Sequence, residues 1–452
     1  MKKCVLCLSL FFILFQSFAQ NEDSVFIKRI ADEILTNSKA YDNLRVLTKQ
    51  VGNRLAGSPQ MPKAEQWGLS AMQAVAADKS WLQECMVPHW VRGGKDVANT
   101  INIKKELDVL ALGNSLGTGP KGVTAEVIEV VNFDDLERKK DAIKDKIVFY
   151  NYKFNPTFVR TFQAYSDAVR YRGQGPSRAA KYGAKAVIVR SMSHSTDNNP
   201  HTGGTNYNDS FAKIPAVAIG LKDADWLHNN LQKGKLNVFL KTGGKFLPDT
   251  IGHNVIGELK GTQFPDEYIT VGGHLDSWDV AEGAHDDGSG CVQTIEILRA
   301  FKALGYQPKR TIRFVLFANE ENGTRGGTKY AEEAKAKGEK HILAMESDAG
   351  GFTPRGFGFT MSQAQLQKII GYKELLAPYG ASELSMGGGG SDIAPLNRTL
   401  GTPLAGLQPD SQRYFDLHHA RNDVFENVNK RELELGAVNM AALIYLVDKY
   451  GL

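Results

Sequence analysis

Histidines and carboxylates recur at several separate points in the C-terminal half of the sequence. They are His274, Asp276, Asp286, Glu320, Glu321, Asp348, His418 and His419. Imidazole and carboxylate groups together are suitable ligands for Zn²⁺ and related divalent ions. Taken singly, each motif is common, because His-x-Asp can be a self-paired polar group and Asp-Asp-Gly is ordinary turn chemistry. As a joint motif they predict a metal-dependent active site.

Short apolar strands precede three of these groups. The runs 268–271, 311–317 and 341–344 read as strands that end just before His274, Glu320 and Asp348. Helical patterns at 291–303 and 327–337 alternate with them, which is typical of an α/β sheet with helices on its faces. Because sites in such sheets gather beyond the carboxyl ends of the strands, we expect these side chains to converge.

The remainder of the chain predicts two further regions. Apolar residues recur at helical spacing between Asp23 and Gln73, interrupted by a Gly/Pro-containing loop at 52–59. From about 116 to 247 short β-type runs alternate with turns, with one helix near 177–181. This stretch lacks a dense cluster of catalytic residue types, so we interpret it as an inserted domain. His201, in its Pro-His-Thr-Gly turn, is interpreted as an ordinary surface residue.

The N-terminus has the pattern of a secretory signal peptide. Lys2 and Lys3 precede an apolar run at 5–15, and small residues follow up to Ala19. The run is shorter than the roughly 20 residues that a membrane-spanning helix needs. The alternative, a buried N-terminal helix, does not require this order of charges. We therefore expect cleavage after Ala19 and an exported protein, periplasmic or extracellular.

Charge and cysteine content exclude some functions. Removing residues 1–19 lowers the net charge from +4 to about +2. Without a long basic run, nucleic acid is not an expected partner. Only Cys85 and Cys291 then remain, which implies no disulfide framework and leaves their pairing open. The length is sufficient for two or three domains.

The metal motifs resemble those of the zinc exopeptidases with two co-catalytic metals, and most of all their carboxypeptidase Q subfamily. The resemblance covers nearly the whole mature chain. It includes the 52–59 loop, the loop at 387–392 and the pair His418-His419. It implies a mixed-sheet α/β/α zinc-exopeptidase domain with an inserted β-rich protease-associated domain. The implied division is 1–19 signal peptide, 20–115 N-terminal part of the peptidase domain, 116–247 insert and 248–452 catalytic core.

The resemblance also implies a role for each residue. Asp286 would bridge two Zn²⁺ ions with its carboxylate, and its peptide bond to Asp287 would be cis, as in the family. The other ligands would be His274 and Asp348 at one ion and Glu321 and His419 at the second. Glu320 would be the general base, and a tight turn is needed to bring it and Glu321 to one site. Asp276 would orient His274, and Asp423 would do the same for His419.

His418 is the residue at which this sequence departs from several relatives. They have a tyrosine there that polarises the substrate carbonyl, so either His418 takes that role or it is a packed neighbour. His285 and Asp287 flank the bridging residue but match no ligand position. His253 and His341 are interpreted as structural. By the same resemblance, the glycine run at 387–390 lines the substrate cleft; the alternative is a plain linker.

Several functions remain open at this point. A non-catalytic ectodomain of this fold would usually lack a ligand or the base, and all are present. A single-zinc cyclase is disfavoured by the pairing of Asp286 with both His274 and Asp348. The resemblance favours a carboxypeptidase or dipeptidase acting on small peptides, and implies a homodimer; an aminopeptidase is the alternative. Carboxyl-end recognition needs a basic residue in the cleft, for which Arg413 and Arg421 are the candidates.

Overall fold

The computed structural model describes residues 22–452, so the predicted signal peptide at 1–19 lies outside the described residues. The helices are α1 (22–37), α2 (Ala40–Val46), α3 (Met61–Ala74), α4 (Phe133–Arg138), α5 (Lys140–Ile143), α6 (Thr161–Gly173), α7 (Gly175–Ala180), α8 (Leu221–Leu231), α9 (Ser289–Ala303), α10 (Arg325–Ala336), α11 (Gln363–Ile370), α12 (Lys373–Leu376), α13 (Ala394–Leu400), α14 (Tyr414–Leu417) and α15 (Lys430–Tyr450). Short π-helical turns lie at Leu47–Val51 and Ala284–Gly288, and 3₁₀ turns at Ala377–Tyr379 and Phe425–Asn427.

The strands form two sheets. They are β1 (Lys79–Val91), β2 (Val97–Thr100), β3 (Glu106–Leu107), β4 (Val109–Ala111), β5 (Val123–Val130), β6 (Ile147–Tyr150), β7 (Ala186–Arg190), β8 (Ala216–Ile219), β9 (Asn237–Lys241), β10 (Lys245–Leu259), β11 (Phe264–His274), β12 (Arg310–Phe317), β13 (Lys340–Glu346), β14 (Pro354–Thr360), β15 (Glu383–Met386) and β16 (Leu404–Pro409). The first sheet has the order β1-β10-β12-β11-β13-β16-β14-β15, and the second β3-β2-β9-β5-β6-β7-β8-β4.

Parallel strands form the middle of the first sheet. β11 pairs in parallel with both β12 and β13, and β13 in parallel with β16, while β10 and β14 are antiparallel to their neighbours β12 and β16. Apolar residues of α3, α9 and α15 cover one face, and those of α10 and α13 cover the other. A central parallel sheet buried on both faces explains why β11, β12 and β13 read as continuous apolar runs. The expected three-layer α/β/α architecture is confirmed, together with its predicted strands and helices.

The second sheet extends beyond the stretch interpreted as an insert. Its strands β2, β3 and β4 lie within 97–111, before the expected boundary at 116. Its two faces are covered by α6 and α7 on one side and by α8 on the other. The region therefore contains more helix than the single turn that the sequence indicated. We use the term insert for residues 97–241 below.

Helix α6 was missed for a physical reason. Its buried residues are mostly small or polar, namely Thr161, Ala164, Ala168, Tyr171 and Arg172. Alanines at helical spacing give a weak periodic signal, although they allow close packing against the sheet. Phe162 and Tyr165, which are only partly buried, lie on the side of the helix that contacts the segment 414–418.

Aromatic side chains join the insert to the first sheet's domain. The ring of Phe162 stacks on Tyr414 with centroids 5.3 Å apart, and Tyr165 stacks on Phe415 at 4.8 Å. Both Tyr414 and Phe415 belong to the hydrophobic cluster of the insert. The segment that leads to His418 and His419 is thus packed against the insert.

Within residues 22–452 no helix combines the length and apolar composition needed to span a membrane.

Arg54, in the loop that precedes α3, holds the chain between β11 and Asp286. Its fully buried guanidinium donates hydrogen bonds to the carbonyl oxygens of Leu275 (2.5 Å), Glu282 (2.7 Å) and Gly283 (2.9 Å). A buried carbonyl without a donor is costly, so one side chain satisfies three main-chain acceptors at once.

The thiols of Cys85 and Cys291 are both buried and free.

We predict that Arg54→Met destabilises the protein by about 3 kcal/mol or more, because three main-chain carbonyls, two of them in buried hydrogen bonds, lose their donor. Urea denaturation followed by circular dichroism measures this. Arg45→Met, at an exposed arginine of α2, is the matched control and should leave the midpoint unchanged. An Arg54→Met midpoint equal to that of the control would contradict the assigned role.

Candidate active site

The carboxyl ends of the central parallel strands carry the residues singled out in the sequence. β11 ends at His274, β12 is followed by Glu320 and Glu321, and β13 by Asp348. Parallel strands end at the same edge of the sheet, so these side chains meet there, as expected. Asp286 comes from the turn before α9, and His418 and His419 from the turn after α14.

Asp286 lies between two imidazoles. Its Oδ1 is 3.2 Å from Nε2 of His274, and its Oδ2 is 3.2 Å from Nε2 of His419. The Nε2 atom of His274 also lies 3.5 Å from Oδ1 of Asp348, and that of His419 lies 3.2 Å from Oε2 of Glu321. The peptide bond between Asp286 and Asp287 is cis, as expected. The five predicted ligands thus form two groups that share Asp286.

The electrostatics of this cluster are those of a cation site. Burial favours the neutral form of Asp286, but the adjacent imidazoles of His274 and His419 hold its pKa well below the usual range. Burial and the charge of Asp286 raise the pKa of Glu321 to about 8. Burial raises the pKa of Asp348 to about 6. Buried carboxylates that repel one another are stabilised by a bound cation.

The donor set fits metal ions. Ligand atoms lie within 4.8 Å of one another in three groups: His274, Asp286 and Glu321; Asp286, His418 and His419; and His274, Asp287 and Asp348. Oδ2 of Asp286 is buried and has no hydrogen-bond partner among the described residues. Mixed imidazole and carboxylate donors match zinc. These groups contain all five predicted ligands and add His418 and Asp287.

Asp287 has a different environment from the ligands. Its Oδ2 accepts a hydrogen bond from the main-chain N of His274 (3.0 Å), and its Oδ1 accepts one from Gly290 (2.9 Å) in the first turn of α9. Burial raises the pKa of Asp287 well above its usual range. Its carboxyl therefore ties β11 to α9, which agrees with leaving it out of the ligand set.

Asp276 holds the turn that carries the two glutamates. Its fully buried carboxylate accepts hydrogen bonds from the main-chain N of Glu320 (2.9 Å) and of Glu321 (3.3 Å). The expected tight turn is present and begins at Asn319, whose φ of 63° is left-handed. The Nδ1 atom of His274 donates instead to the main-chain carbonyl of Asp276 at 2.9 Å. Asp276 therefore orients His274 through its backbone, and its side chain positions Glu320.

Asp423 does not orient His419, contrary to the expectation. Its carboxylate accepts hydrogen bonds from the main-chain N of His285 (2.8 Å) and of Asp286 (3.2 Å). Asp423 follows His419 by four positions, but the chain turns between them and directs the carboxylate toward the bridging segment. Asp423 thus fixes the backbone of Asp286.

The histidines outside the ligand set differ in their surroundings. His285 stacks on Phe352 at 4.3 Å, and burial lowers its pKa to about 4. His253 and His341 are hydrogen-bonded to Glu65 and Glu339, respectively, in agreement with structural roles. His201 is only 5% exposed and burial lowers its pKa to about 4, so its interpretation as a surface residue is wrong.

His418 stacks on His419, with ring centroids 3.5 Å apart. Its Nε2 lies 3.7 Å from Oδ2 of Asp286. Burial, and then the neighbouring His419, lower the pKa of His418 well below its usual range, so the ring is neutral. A neutral imidazole beside the cluster can donate a hydrogen bond without adding charge.

A cavity of about 520 Å³ opens onto this cluster. It is lined by Glu320, Asp348, His418 and His419 on one side and by residues of the insert, including Tyr165 and Arg172, on the other. The neighbouring cavity, of about 620 Å³, shares Phe162 and Asp348 with it and is lined by Gly387–Gly390. The glycine run therefore belongs to a cleft wall adjoining the cluster.

Arg172 is the basic residue of the cavity, in place of the two candidates named from sequence. Arg421 is bound to Asp108 at the surface, and Arg413 is 65% exposed beside Glu432. Arg172 is 8% exposed, and its guanidinium contacts the Tyr165 hydroxyl (2.6 Å) and the Thr202 carbonyl (3.3 Å). No carboxylate of the described chain pairs with it. Its place in a weakly periodic helix left no sequence signal.

Comparison with known proteins agrees with this geometry. Residues 254–444 match the model of peptidase family M28. Carboxypeptidase Q of Mus musculus is 36% identical over 411 residues, which cover 91% of this chain and 86% of that protein. The crystal structure of a peptidase M28 precursor from Shewanella amazonensis superposes with a TM-score of 0.90 at 32% identity, covering 95% of this chain and 97% of the other.

A more distant neighbour supports the fold alone. An aminopeptidase from Aneurinibacillus sp. strain AM-1 superposes with a TM-score of 0.63 at 22% identity, covering 94% of this chain and 95% of that one. The expected likeness to the zinc exopeptidases, and to carboxypeptidase Q among them, is confirmed by the relatives that share more than 30% of their residues. The chain belongs to peptidase family M28 and is a metallo-exopeptidase.

Proposed function

We propose that this protein is an exported, zinc-dependent carboxypeptidase or dipeptidase that hydrolyses dipeptides or short peptides. The observation that carries the proposal is the pair of ligand groups that share Asp286, with Glu320 beside them in one cavity. Export is inferred from the sequence of residues 1–19, and a homodimer from family resemblance. The division of the chain at 116 and 247 stays a prediction.

Two zinc ions per chain are proposed. His274 and Asp348 would hold one, Glu321 and His419 the other, and Asp286 would bridge them. When bound, such a pair acidifies a water molecule and polarises the scissile carbonyl. Asp276 and Asp423 serve this arrangement indirectly, because they fix the backbone of Glu321 and Asp286.

Glu320 is proposed as the general base. It lines the cavity with Asp348 and Asp286, while its backbone is held by Asp276. From there its carboxylate takes a proton from the attacking water and delivers it to the leaving amine. Neutral His418, which also lines the cavity, donates a hydrogen bond to the substrate carbonyl as negative charge develops there.

Arg172 supports recognition of a free carboxyl terminus. A buried guanidinium without a carboxylate partner is costly, and a substrate carboxylate would neutralise it. Arg172, from the insert, and Glu320, from the catalytic core, line the same cavity. A peptide whose C-terminal carboxylate meets Arg172 would extend its amino side toward Asp348 and the glycine-lined cavity. This arrangement favours a carboxypeptidase or dipeptidase over an aminopeptidase.

We predict that Glu320→Gln lowers kcat on an unblocked dipeptide by about a hundredfold to ten-thousandfold, since proton transfer is lost. Zinc content, measured by plasma emission spectrometry, should stay at about two ions per chain, because the side chain at position 320 is not a ligand. Glu332→Gln, at an exposed glutamate of α10, is the control. Full activity in Glu320→Gln would exclude the base, and absence of zinc and of activity from the wild type would favour a binding ectodomain.

We predict that Arg172→Gln lowers kcat/KM for unblocked dipeptides by about a hundredfold through KM, because the substrate carboxylate loses a charged partner. C-terminally amidated peptides should be poor substrates of both proteins, with little difference between them. Arg170→Gln, at a half-exposed arginine of the same helix α6, is the matched control.

Two outcomes would contradict carboxyl-end recognition. One is equal hydrolysis of amidated and unblocked peptides by the wild type, together with a requirement for a free amino group, which would indicate an aminopeptidase. The other is an equal loss of activity toward both kinds of peptide in Arg172→Gln. Zinc content is measured alongside, because Arg172 Nη1 lies 3.4 Å from Nδ1 of His419.

A further inference from the structure

The loop between β7 and β8 of the insert makes a two-way contact with His419. The main-chain N of Thr202 donates to the His419 carbonyl at 2.9 Å, and Nδ1 of His419 lies 3.3 Å from the Thr202 carbonyl. A carbonyl oxygen only accepts, so Nδ1 carries the proton in this contact. Nε2 is then the ring nitrogen that can offer a lone pair to a cation held by Asp286 and Glu321. The insert thereby sets the tautomer of a residue in the catalytic core.

The same contact holds an unfavourable backbone conformation. His419 has a φ of 60°, in the left-handed region that side chains other than glycine adopt only at a cost. Such a conformation persists when its surroundings fix it. The hydrogen bond from Thr202 to the His419 carbonyl does so, and its donor comes from outside the segment that contains His419.

Gly203 makes the close approach possible. Its φ is 125°, and a Cβ there would lie 2.4 Å from Cζ of Arg172 and 2.6 Å from Nδ1 of His419. The loop is tied to the insert around it, since Thr202 Oγ1 donates to the Ala111 carbonyl (2.8 Å) and Gly113 N to the Gly203 carbonyl (3.0 Å). A side chain at 203 would therefore have to displace either Arg172 or His419.

The insert also reaches Glu321, by way of Trp278. Gly113 packs so closely on the Trp278 ring that a Cβ would lie 1.8 Å from it. The main-chain N of Trp278 donates to Oε1 of Glu321 at 3.2 Å, and its ring meets His419 edge-on at 5.8 Å. His419 thus contacts the insert directly, and Glu321 contacts it through Trp278. His274, in contrast, is held by Asp276 and Asp287 of the first sheet's domain.

We propose that the loop 201–204 of the insert positions the binding site of one of the two metal ions, the site formed by Glu321 and His419. The other site, formed by His274 and Asp348, does not depend on this loop. The inference rests on the two-ion function proposed above. A change in the loop should therefore weaken the binding of the ion at Glu321 and His419 more than the binding of the other ion.

The test is Gly203→Ala, examined as the full mature chain. We expect it to lose one of two zinc ions at a chelator concentration at which the wild type keeps both, with at least a tenfold rise in the dissociation constant of that ion. Gly94→Ala is the matched control, because its φ of 115° is similar but nothing lies within 4 Å of the added Cβ. Zinc per chain is read by emission spectrometry, independently of activity.

A second pair of variants separates His419 from Arg172. In an Arg172→Ala background the guanidinium contact is absent, while the contact of the added Cβ of Gly203→Ala with His419 remains, so the loss of one ion should persist. Thr202→Val removes one anchor of the loop while keeping its shape, and should weaken the same ion if Gly203→Ala does not fold. Retention of both ions with wild-type affinity in folded Gly203→Ala or in Thr202→Val would overturn the proposal.

The two-ion function fails in a different way. A wild-type protein that holds a single ion and hydrolyses dipeptides would contradict the proposed stoichiometry. The role of the loop would then be decided by whether Gly203→Ala weakens that single ion: if it does, the loop still positions a ligand, and if it does not, the proposal is wrong.

Discussion

The rest of the structure depends on keeping the Asp286 carboxylate charged although it is buried beside other carboxylates. Burial and the charges of neighbouring acids oppose ionisation, and the imidazoles of His274 and His419 favour it. Charged groups of one sign in a low-dielectric site repel strongly, so their backbones must be held from outside the cluster. Three aspartates do this: Asp423 holds Asp286, Asp287 holds His274, and Asp276 holds Glu320 and Glu321. They accept hydrogen bonds from main-chain N–H groups, and burial raises the pKa of all three, which limits the negative charge that they add.

This arrangement explains which parts of the site the sequence could predict. A side chain at the end of a buried parallel strand follows from the apolar run before it, so the proposed ligands His274, Glu321 and Asp348 lie at one sheet edge, as predicted. A carboxylate that accepts hydrogen bonds from main-chain N–H groups leaves no comparable pattern in the sequence. The expected partner of Asp423 was wrong, and Asp276 meets His274 through its main-chain carbonyl while its carboxylate holds Glu320 and Glu321. Spacing along the chain does not indicate which backbone N–H a carboxylate will meet.

The fold shows the same difference. The central strands β11, β12 and β13 and the helices α9 and α10 between them were predicted, because a sheet buried on both faces gives apolar runs. Helix α6 was missed because alanines and a buried arginine form its inner face. His201 was misjudged because a turn of polar residues is normally exposed, whereas here the turn is buried between the insert and the catalytic core. The periodicity of apolar residues indicates which side of a helix or strand packs in its own domain. It does not indicate which residues contact a second domain.

The insert and the catalytic core are therefore not separable at the site. Tyr414 and Phe415, which precede the histidine pair, belong to the hydrophobic cluster of the insert, so packing there fixes where α14 ends. The segment from Tyr414 to His419 starts in the hydrophobic cluster of the insert and ends at the proposed metal ligands of the catalytic core. A shift of the insert would therefore also move His419. The cavity is bounded on its opposite side by Arg172 of the same insert. Arg172 Nη1 lies 3.4 Å from Nδ1 of His419, so the charge proposed to bind the substrate adjoins a residue proposed to bind a metal. A shift of the insert that moves both residues would therefore alter substrate recognition and metal retention together.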